Sequence, residues 1–338
     1  MAPGRVRGRE VRLARRPSGA TAVSDFAVVE VDLPEPGEGE VLVRNKVMSV
    51  DPYMRLPMTG QQGVHAAMGE GETLHGAAVG VVEASRSADL PQGAWVSSPS
   101  QGWREAYVAP ARQVTRIDPL AGDPGLYVGL LGLIGVTAYA GIEYVLQPTA
   151  GETVFVSGGA GAVGMVACQL ARRRGARVIA TTGSDEKAAW LQGEIGVDVA
   201  INYRTAGNLA EALHAAAPTG LDGMFDNVGG TTLEAAIEAM KMNGRVALCG
   251  AIELYNSANY RAGPANFFTV IEKCLVLKGF NAGPYYARAG EIFGALTQML
   301  GAGELIWRET VREGIEAAPQ AFIDLMAGAN FGKMLVRL

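Results

Sequence analysis

The chain has 338 residues, more than one ordinary domain, so two domains with separate cores are expected. With 49% apolar and 19% charged residues it is a folded chain and not a disordered one. A net charge of −5, with no basic stripe interleaved with aromatics, excludes a nucleic-acid platform.

The amino terminus departs from that balance, with Arg5, Arg7, Arg9, Arg12, Arg15 and Arg16 in the first sixteen residues. Transit peptides are also rich in arginine. Here Val11 and Leu13 alternate with Arg12 and Ala14, and Glu10 interrupts the run, so a solvated leader followed by a half-exposed strand is expected. Up to residue 118 come short apolar runs, "FAVVEVDLPEPGEGEVLVRNKVMSV", "AAVGVVEAS", "GAWVSS" and "REAYVAP". Pro34, Pro36, Gly37, Gly39 and Gly93 punctuate them, and a β-rich domain follows.

Residues 126 to 142, "LYVGLLGLIGVTAYAGI", carry no charge. That length is marginal for a bilayer, and Gly129, Gly132, Gly135 and Gly141 make a poor lipid-facing helix. A buried helix at a domain junction is expected, and no membrane partner. From residue 151 six candidate strands alternate with helical stretches: "TVFVS", "RVIATT", "VAINY", "GMFDNV", "RVALCG" and "LVLKGF". Repeated βα units give an α/β fold with a doubly wound parallel sheet. "TLEAAIEAMKMNG" reads as a helix ending on a C′ glycine, and "AAPQAFIDLMAGANFGKMLVRL" as a helix and a strand that returns to the first domain.

Gly159, Gly161 and Gly164 satisfy G-x-G-x-x-G directly after "TVFVS" and at the mouth of a helix. Small residues there let the backbone approach a pyrophosphate, while free N–H groups and the helix dipole favour its charge. A P-loop needs Lys and Ser or Thr after the last glycine, where Met165 and Val166 stand, so nucleotide hydrolysis is disfavoured. The second strand ends Ala180-Thr181-Thr182-Gly183-Ser184, without the acid that accepts from an NAD ribose. Hydroxyls and backbone donors suit a 2′-phosphate instead. Lys187 adds a cation on the next helical turn and Tyr203 ends the third strand nearby; alternatively Asp185 caps that helix and Lys187 is a solvated surface residue.

Cys168, Cys249 and Cys274 are too few and scattered for a disulfide framework and suit a reducing, cytoplasmic setting. The absence of cysteine before Cys168 removes the thiolate ligands of a catalytic zinc site, and His75, without thiolate partners, reads as a packing residue. No metal is expected. A site without a metal has to stabilise any developing oxyanion in another way, and a phenol or ribose hydroxyl does so as a hydrogen-bond donor. Tyr255, after the fifth strand, is the first candidate, and Tyr53 the second; either is alternatively an aromatic wall.

The glycine turn with "GSDEK", "INY", "FDNVGG", "LCGAIELYN" and "GANFGK" in register, and "SVDPYMR" upstream, resembles the medium-chain dehydrogenase/reductase superfamily. Within it the chain is similar to the zinc-independent branch of prostaglandin reductase, leukotriene B4 12-hydroxydehydrogenase, plant 2-alkenal reductase and bacterial curcumin reductase, over nearly its whole length. The resemblance implies a GroES-like β domain from residues 1–125 and 303–338 and a Rossmann domain from 126–302, with NADP in the cleft. It implies Gly161, Ala162, Val163 and Gly164 on the pyrophosphate and Lys187 and Tyr203, beside Thr182, Gly183 and Ser184, at the adenosine end. It further implies Asn227 near the ribose, Cys249, Gly250, Ala251, Ile252 and Tyr255 along the nicotinamide, Phe280, Asn281 and Ala282 by the carboxamide, and Asn330 closing the site.

The expected function is NADPH-dependent reduction of the C=C bond of an enone or enal, by a homodimer that uses "LVLKGF" as an edge. A quinone oxidoreductase or a redox-inactive NADPH-binding scaffold remain alternatives. The family's "VDPYMRGRM" is replaced after Arg55 by Leu56-Pro57-Met58, followed by Gln61, Gln62 and His65, which bears on the substrate.

Overall fold

The computed structural model describes residues 6–60, 66–119, 123–257 and 263–338; Gln61, Gln62 and His65 lie outside the described residues. Contacts divide the chain into two units, one running to Gly129 and resuming at Glu309–Leu338, the other Leu130–Arg308.

In the first unit β1 (Val6–Leu13) buries Val11 and Leu13 and leaves Arg12 half-buried, as the alternation requires. Much of the basic run is therefore strand and not leader. Carboxylates hold it: Arg9 pairs with Glu105 at 2.6 Å and with Glu316, Arg12 with Glu10 at 2.7 Å, and Arg15 with Asp25 at 2.6 Å. β2 (Phe26–Leu33) lies antiparallel on β1. The Pro34 to Gly39 turn leads into β3 (Glu40–Ser49), which pairs with β4 (Ala78–Ser85), and β4 with β5 (Trp95–Ser98). β6 (Ala106–Pro110) lies on the other edge of β3, and β7 (Thr115–Arg116) on β5.

The apolar run 126–142 is not one helix. A 3-10 turn (Pro124–Val128) is followed by non-helical backbone at Gly129 and Gly132, then α1 (Leu133–Ala140) and a π turn (Gly141–Leu146). Glycine without a Cβ makes that break at low cost, which hydropathy alone does not register. Among the described residues no helix is long and apolar enough to cross a membrane.

The second unit supplies β8 (Thr153–Val156), α2 (Ala162–Arg173), β9 (Arg177–Thr182), α3 (Asp185–Trp190), β10 (Val199–Asn202), α4 (Leu209–Ala216), β11 (Leu221–Asp226), α5 (Gly230–Ala239), β12 (Met240–Leu248), α6 (Phe267–Glu272), β13 (Val276–Gly279) and α7 (Ala289–Gly301). The six strands are parallel in the order β10-β9-β8-β11-β12-β13. The strand order reverses between β8 and β11, the switch point where open α/β sheets bind ligands at their carboxyl edge. One helix is shorter than its sequence implies: α5 stops at Ala239, and Met240 already pairs with Leu221 of β11. Asn243, not Gly244, takes the left-handed backbone, at φ 62°.

The chain then returns to the first unit as β14 (Glu309–Glu313), α8 (Ala318–Met326) and β15 (Lys333–Arg337). β15 runs antiparallel to the end of β3 and parallel to β14. Trp103, Phe26 and Phe322 pack ring against ring in a core that also holds Met48, Met54, Met58 and Val336.

Candidate active site

The glycine turn follows β8. Gly158 adopts φ 63°, Gly159 N–H donates to Thr181 O at 2.8 Å, and Gly161 N–H folds back onto Gly158 O at 3.0 Å. Gly161 then caps α2, whose first turn leaves the amides of Ala162, Val163 and Gly164 without helical acceptors. A Cβ on Gly164 would lie 2.2 Å from Gly158 O, and one on Gly159 2.7 Å from the Ala180 Cβ. The turn is thus as tight as backbone permits, with amide donors at a helix start, and it fits a pyrophosphate.

At the end of β9, Ser184 Oγ accepts from Lys187 N–H at 3.3 Å and so caps α3, while the Asp185 carboxylate accepts from Asn202 Nδ2 at 2.7 Å. The alternative of an Asp185 cap with a solvated Lys187 is therefore not what forms: Lys187 is buried. A Cβ on Gly183 would meet Tyr203 Oη at 2.9 Å and Arg204 Nε at 3.4 Å, which draws both side chains to this strand end. Sequence reading passed over Arg204, although it directly follows Tyr203. Burial, then repulsion from Arg204, holds the Lys187 pKa below its ordinary value, with Glu186 opposing. Two cations, a serine and a phenol, with the Asp185 carboxylate turned to the Asn202 amide, fit the 2′-phosphate of NADP.

Two results are expected. Lys187→Met weakens NADPH binding about ten- to a hundredfold by loss of a charge-assisted hydrogen bond, leaving NADH binding unchanged in a fluorescence titration. In the wild type NADPH affinity should fall as pH rises through a Lys187 pKa that lies below its ordinary value, and Lys187→Met removes that limb.

The carboxyl ends of β11, β12 and β13 gather the remaining residues of the second unit. Asp226 is fully buried, accepting from Ser157 Oγ at 2.8 Å, Val228 N–H at 3.0 Å and Gly229 N–H at 3.1 Å. Burial raises its pKa against those bonds. Asn227 is fastened from both ends, N–H to Ser157 Oγ at 2.8 Å and Nδ2 to Ser157 O at 2.7 Å. Cys249 and Gly250 donate their N–H groups to Asp226 O. The turn Ile252–Leu254 is tied by Glu253, whose N–H donates to Val228 O at 3.1 Å and whose Oε1 accepts from Thr231 N–H and Oγ1. Sequence reading missed Asp226 and Glu253; both flank residues it did single out.

That turn delivers Tyr255, whose Oη accepts from Ala251 N–H at 3.4 Å and lies 3.5 Å from where a Cβ on Gly250 would sit. Burial raises the phenol pKa, and Cys249 and Asp226 push the same way. The Cys249 thiol is itself driven up to about 12 by burial, so it is a neutral wall and not a nucleophile. Phe280 N–H donates to Leu248 O at 3.2 Å, Asn281 Oδ1 accepts from Gly283 N–H, and Ala282 is buried behind them.

Tyr53 and Asn330 belong to the first unit. Tyr53 lies on a 3-10 turn, Pro52–Arg55, packed against the core around Trp103, and Asn330 Nδ2 donates to Gly332 O at 2.7 Å. Met54 anchors the Tyr53 turn: its sulfur accepts from Asp51 N–H and from Trp103 Nε1. His75 is exposed and not the packing residue its sequence context implied. No group of three or more His, Cys, Asp or Glu side chains able to hold a metal occurs among the described residues.

Residues 9–117 match a family model described as the N-terminal domain of oxidoreductase, and residues 162–296 one described as zinc-binding dehydrogenase. Prostaglandin reductase 1 of Bos taurus is 39% identical over 93% of this chain and 94% of its own. A putative NADP-dependent oxidoreductase of Bacillus subtilis is 38% identical over 97% of each. The crystal structure of CurA from Vibrio vulnificus in complex with NADPH superposes with a TM-score of 0.92 at 34% identity, over 97% of this chain and 98% of that one.

Proposed function

The chain belongs to the zinc-independent prostaglandin, curcumin and 2-alkenal reductase family of medium-chain dehydrogenase/reductases, an NADP-dependent oxidoreductase, and we propose that it reduces the C=C bond of α,β-unsaturated ketones or aldehydes. The observation that carries this reading is a half-buried phenol, Tyr255, at the carboxyl edge of the sheet and kept protonated.

Bound NADPH supplies the hydride that reaches the β-carbon. Electron density then moves to the carbonyl oxygen, and the chain has to stabilise an enolate. Tyr255 Oη already accepts from Ala251 N–H, so its own proton is available to a second acceptor, the enolate oxygen. One well-placed donor of this kind is worth about 3 kcal/mol. Its raised pKa keeps the phenol neutral at physiological pH, the state in which it donates. The α-carbon takes its proton from Tyr255 or from water. Ser157 and Asp226 hold Asn227 to the cofactor ribose, and Tyr53 is the second candidate donor to the substrate oxygen.

The test is direct: the purified protein with a 2-alkenal should oxidise NADPH and yield the saturated aldehyde. Turnover with quinones alone moves the activity to quinone reduction, and NADPH that is bound but never oxidised moves it to a scaffold.

We also propose a cytoplasmic homodimer. The three cysteines are all free, in keeping with a reducing compartment. β13 ends the order of the parallel sheet, and Phe267, Phe268, Ile271 and Val276 on and before it are each more than half exposed. A strand edge beside such apolar side chains suits a second copy of the same edge. Phe268→Glu with Ile271→Glu should convert a dimer into a monomer in sedimentation equilibrium without changing NADPH affinity; a wild-type monomer refutes the assignment.

A further inference from the structure

Two buried charges in the first unit take no part in the reduction. Lys333 Nζ lies 3.1 Å from Asp51 Oδ1 and donates to the carbonyls of Val50 at 2.7 Å and Met334 at 2.8 Å, which uses all three ammonium donors. Ser49 Oγ donates to Asp51 Oδ2. Both side chains are at least nine-tenths buried, 1% and 7% exposed, with Met48, Val50, Met54, Met334 and Val336 in the apolar core of the same unit.

Stability alone does not account for them. A buried ion pair roughly breaks even against apolar residues of equal volume, so a core of this kind had a simpler filling available. What the pair occupies is the point where β3 and β15 leave their sheet together. Leu335 pairs with Ser49, and Val50 N–H donates to Met334 O at 3.2 Å. Forward from Asp51 the chain enters the turn that bears Tyr53, with Met54 N–H donating to Asp51 O. Backward from Lys333 it passes Gly332, at φ 59°, to Asn330, whose amide is fixed on the Gly332 carbonyl.

We infer that Lys333 and Asp51 are positioning residues, one charge pair that fixes both the substrate-side turn of Tyr53 and the cofactor-side loop of Asn330. This rests on the donor role proposed above for Tyr53 and on the cofactor contact that the family resemblance implies for Asn330. The pair acts by register: its geometry requires the Asp51 carboxylate, the Val50 carbonyl and the Met334 carbonyl to converge on one nitrogen. An apolar pair fills the space and sets no such distance.

The test compares Asp51→Asn/Lys333→Met, which removes both charges without orphaning either, with Val336→Ala, a cavity on the same strand. Both lower the melting temperature. Only the first should raise the NADPH Kd, read by nicotinamide fluorescence, and lower kcat/KM for a 2-alkenal, each by about tenfold, less than the roughly hundredfold that a full ångström of misplacement costs. Tyr53→Ala and Asn330→Ala should each lose most of their wild-type effect in the charge-free background, the non-additivity expected of residues held by one device. Full additivity, an equal response from Val336→Ala, or a wild type indifferent to Tyr53→Ala and Asn330→Ala overturns the inference. If the wild type leaves 2-alkenals untouched, the enone reading fails, while the NADPH cycle with Asn330 still decides this one.

Discussion

Tyr255→Phe lowers the rate of hydride transfer to an enone about a hundredfold, the loss expected when one oxyanion donor is removed. The ring is retained and the Ala251 N–H loses only a long hydrogen bond of 3.4 Å to Oη, so the NADPH Kd should stay within about twofold if Tyr255 acts on the substrate side. Single-turnover kinetics, which isolate the chemical step, give the measurement. A pH profile gives an independent readout. The phenol donates only when neutral, so the wild-type rate falls at alkaline pH as Tyr255 ionises, and burial, opposed by the Ala251 N–H and helped by Cys249 and Asp226, places that pKa above its usual value. The phenyl ring of the variant cannot ionise, and its lower rate should lack that limb. A variant with wild-type single-turnover rates assigns the oxyanion to another group, Tyr53 first.

The sheet of the second unit was legible because its central strands, β8, β9 and β11, are covered on both faces. "TVFV" is buried at every position, and such runs stand out without any need for alternation. The glycine turn was legible because a close backbone approach leaves only one residue type available. The end of α5 was not. "EAAIEAMKMNG" keeps a helical period through Met240 and Met242, and only pairing of Met240 with Leu221 decides that the chain has become strand. That contact is tertiary, and it overrides propensity.

The parts of the site that sequence reading missed share one physical reason. Arg204 and Asp226 each adjoin a residue already singled out, yet their roles depend on what faces them, Lys187 on α3 and Ser157 just beyond β8. Asp51 and Lys333 meet only because β15 returns to β3 from the far end of the chain. Spacing along a sequence carries no trace of such a meeting. The exposed position of His75 was equally hidden, since an isolated histidine among glycines and alanines reads the same on either side of a surface.

Gly164→Ala should nearly abolish NADPH binding, whereas Gly161→Ala should weaken it less than about tenfold, although both glycines belong to one motif. The difference lies in what a methyl group meets. At Gly164 it lands 2.2 Å from Gly158 O and 2.8 Å from Gly159 Cα, and both are backbone atoms of a turn whose amide is already bonded to Thr181 O. At Gly161 the nearest atom is Gly158 O at 3.2 Å, and φ is −79°, which alanine adopts without strain. The Gly164 methyl can be housed only if the start of α2 moves off the turn, which carries the amides of Ala162 and Val163 away from the pyrophosphate. Overpacking of this kind costs about 1–3 kcal/mol of stability, a fall of several degrees in melting temperature, and the misaligned amides raise the NADPH Kd by more than about a hundredfold. Titration of nicotinamide fluorescence and thermal unfolding of both variants provide the comparison. Equal losses at the two positions would mean that the cofactor is held elsewhere than at the mouth of α2.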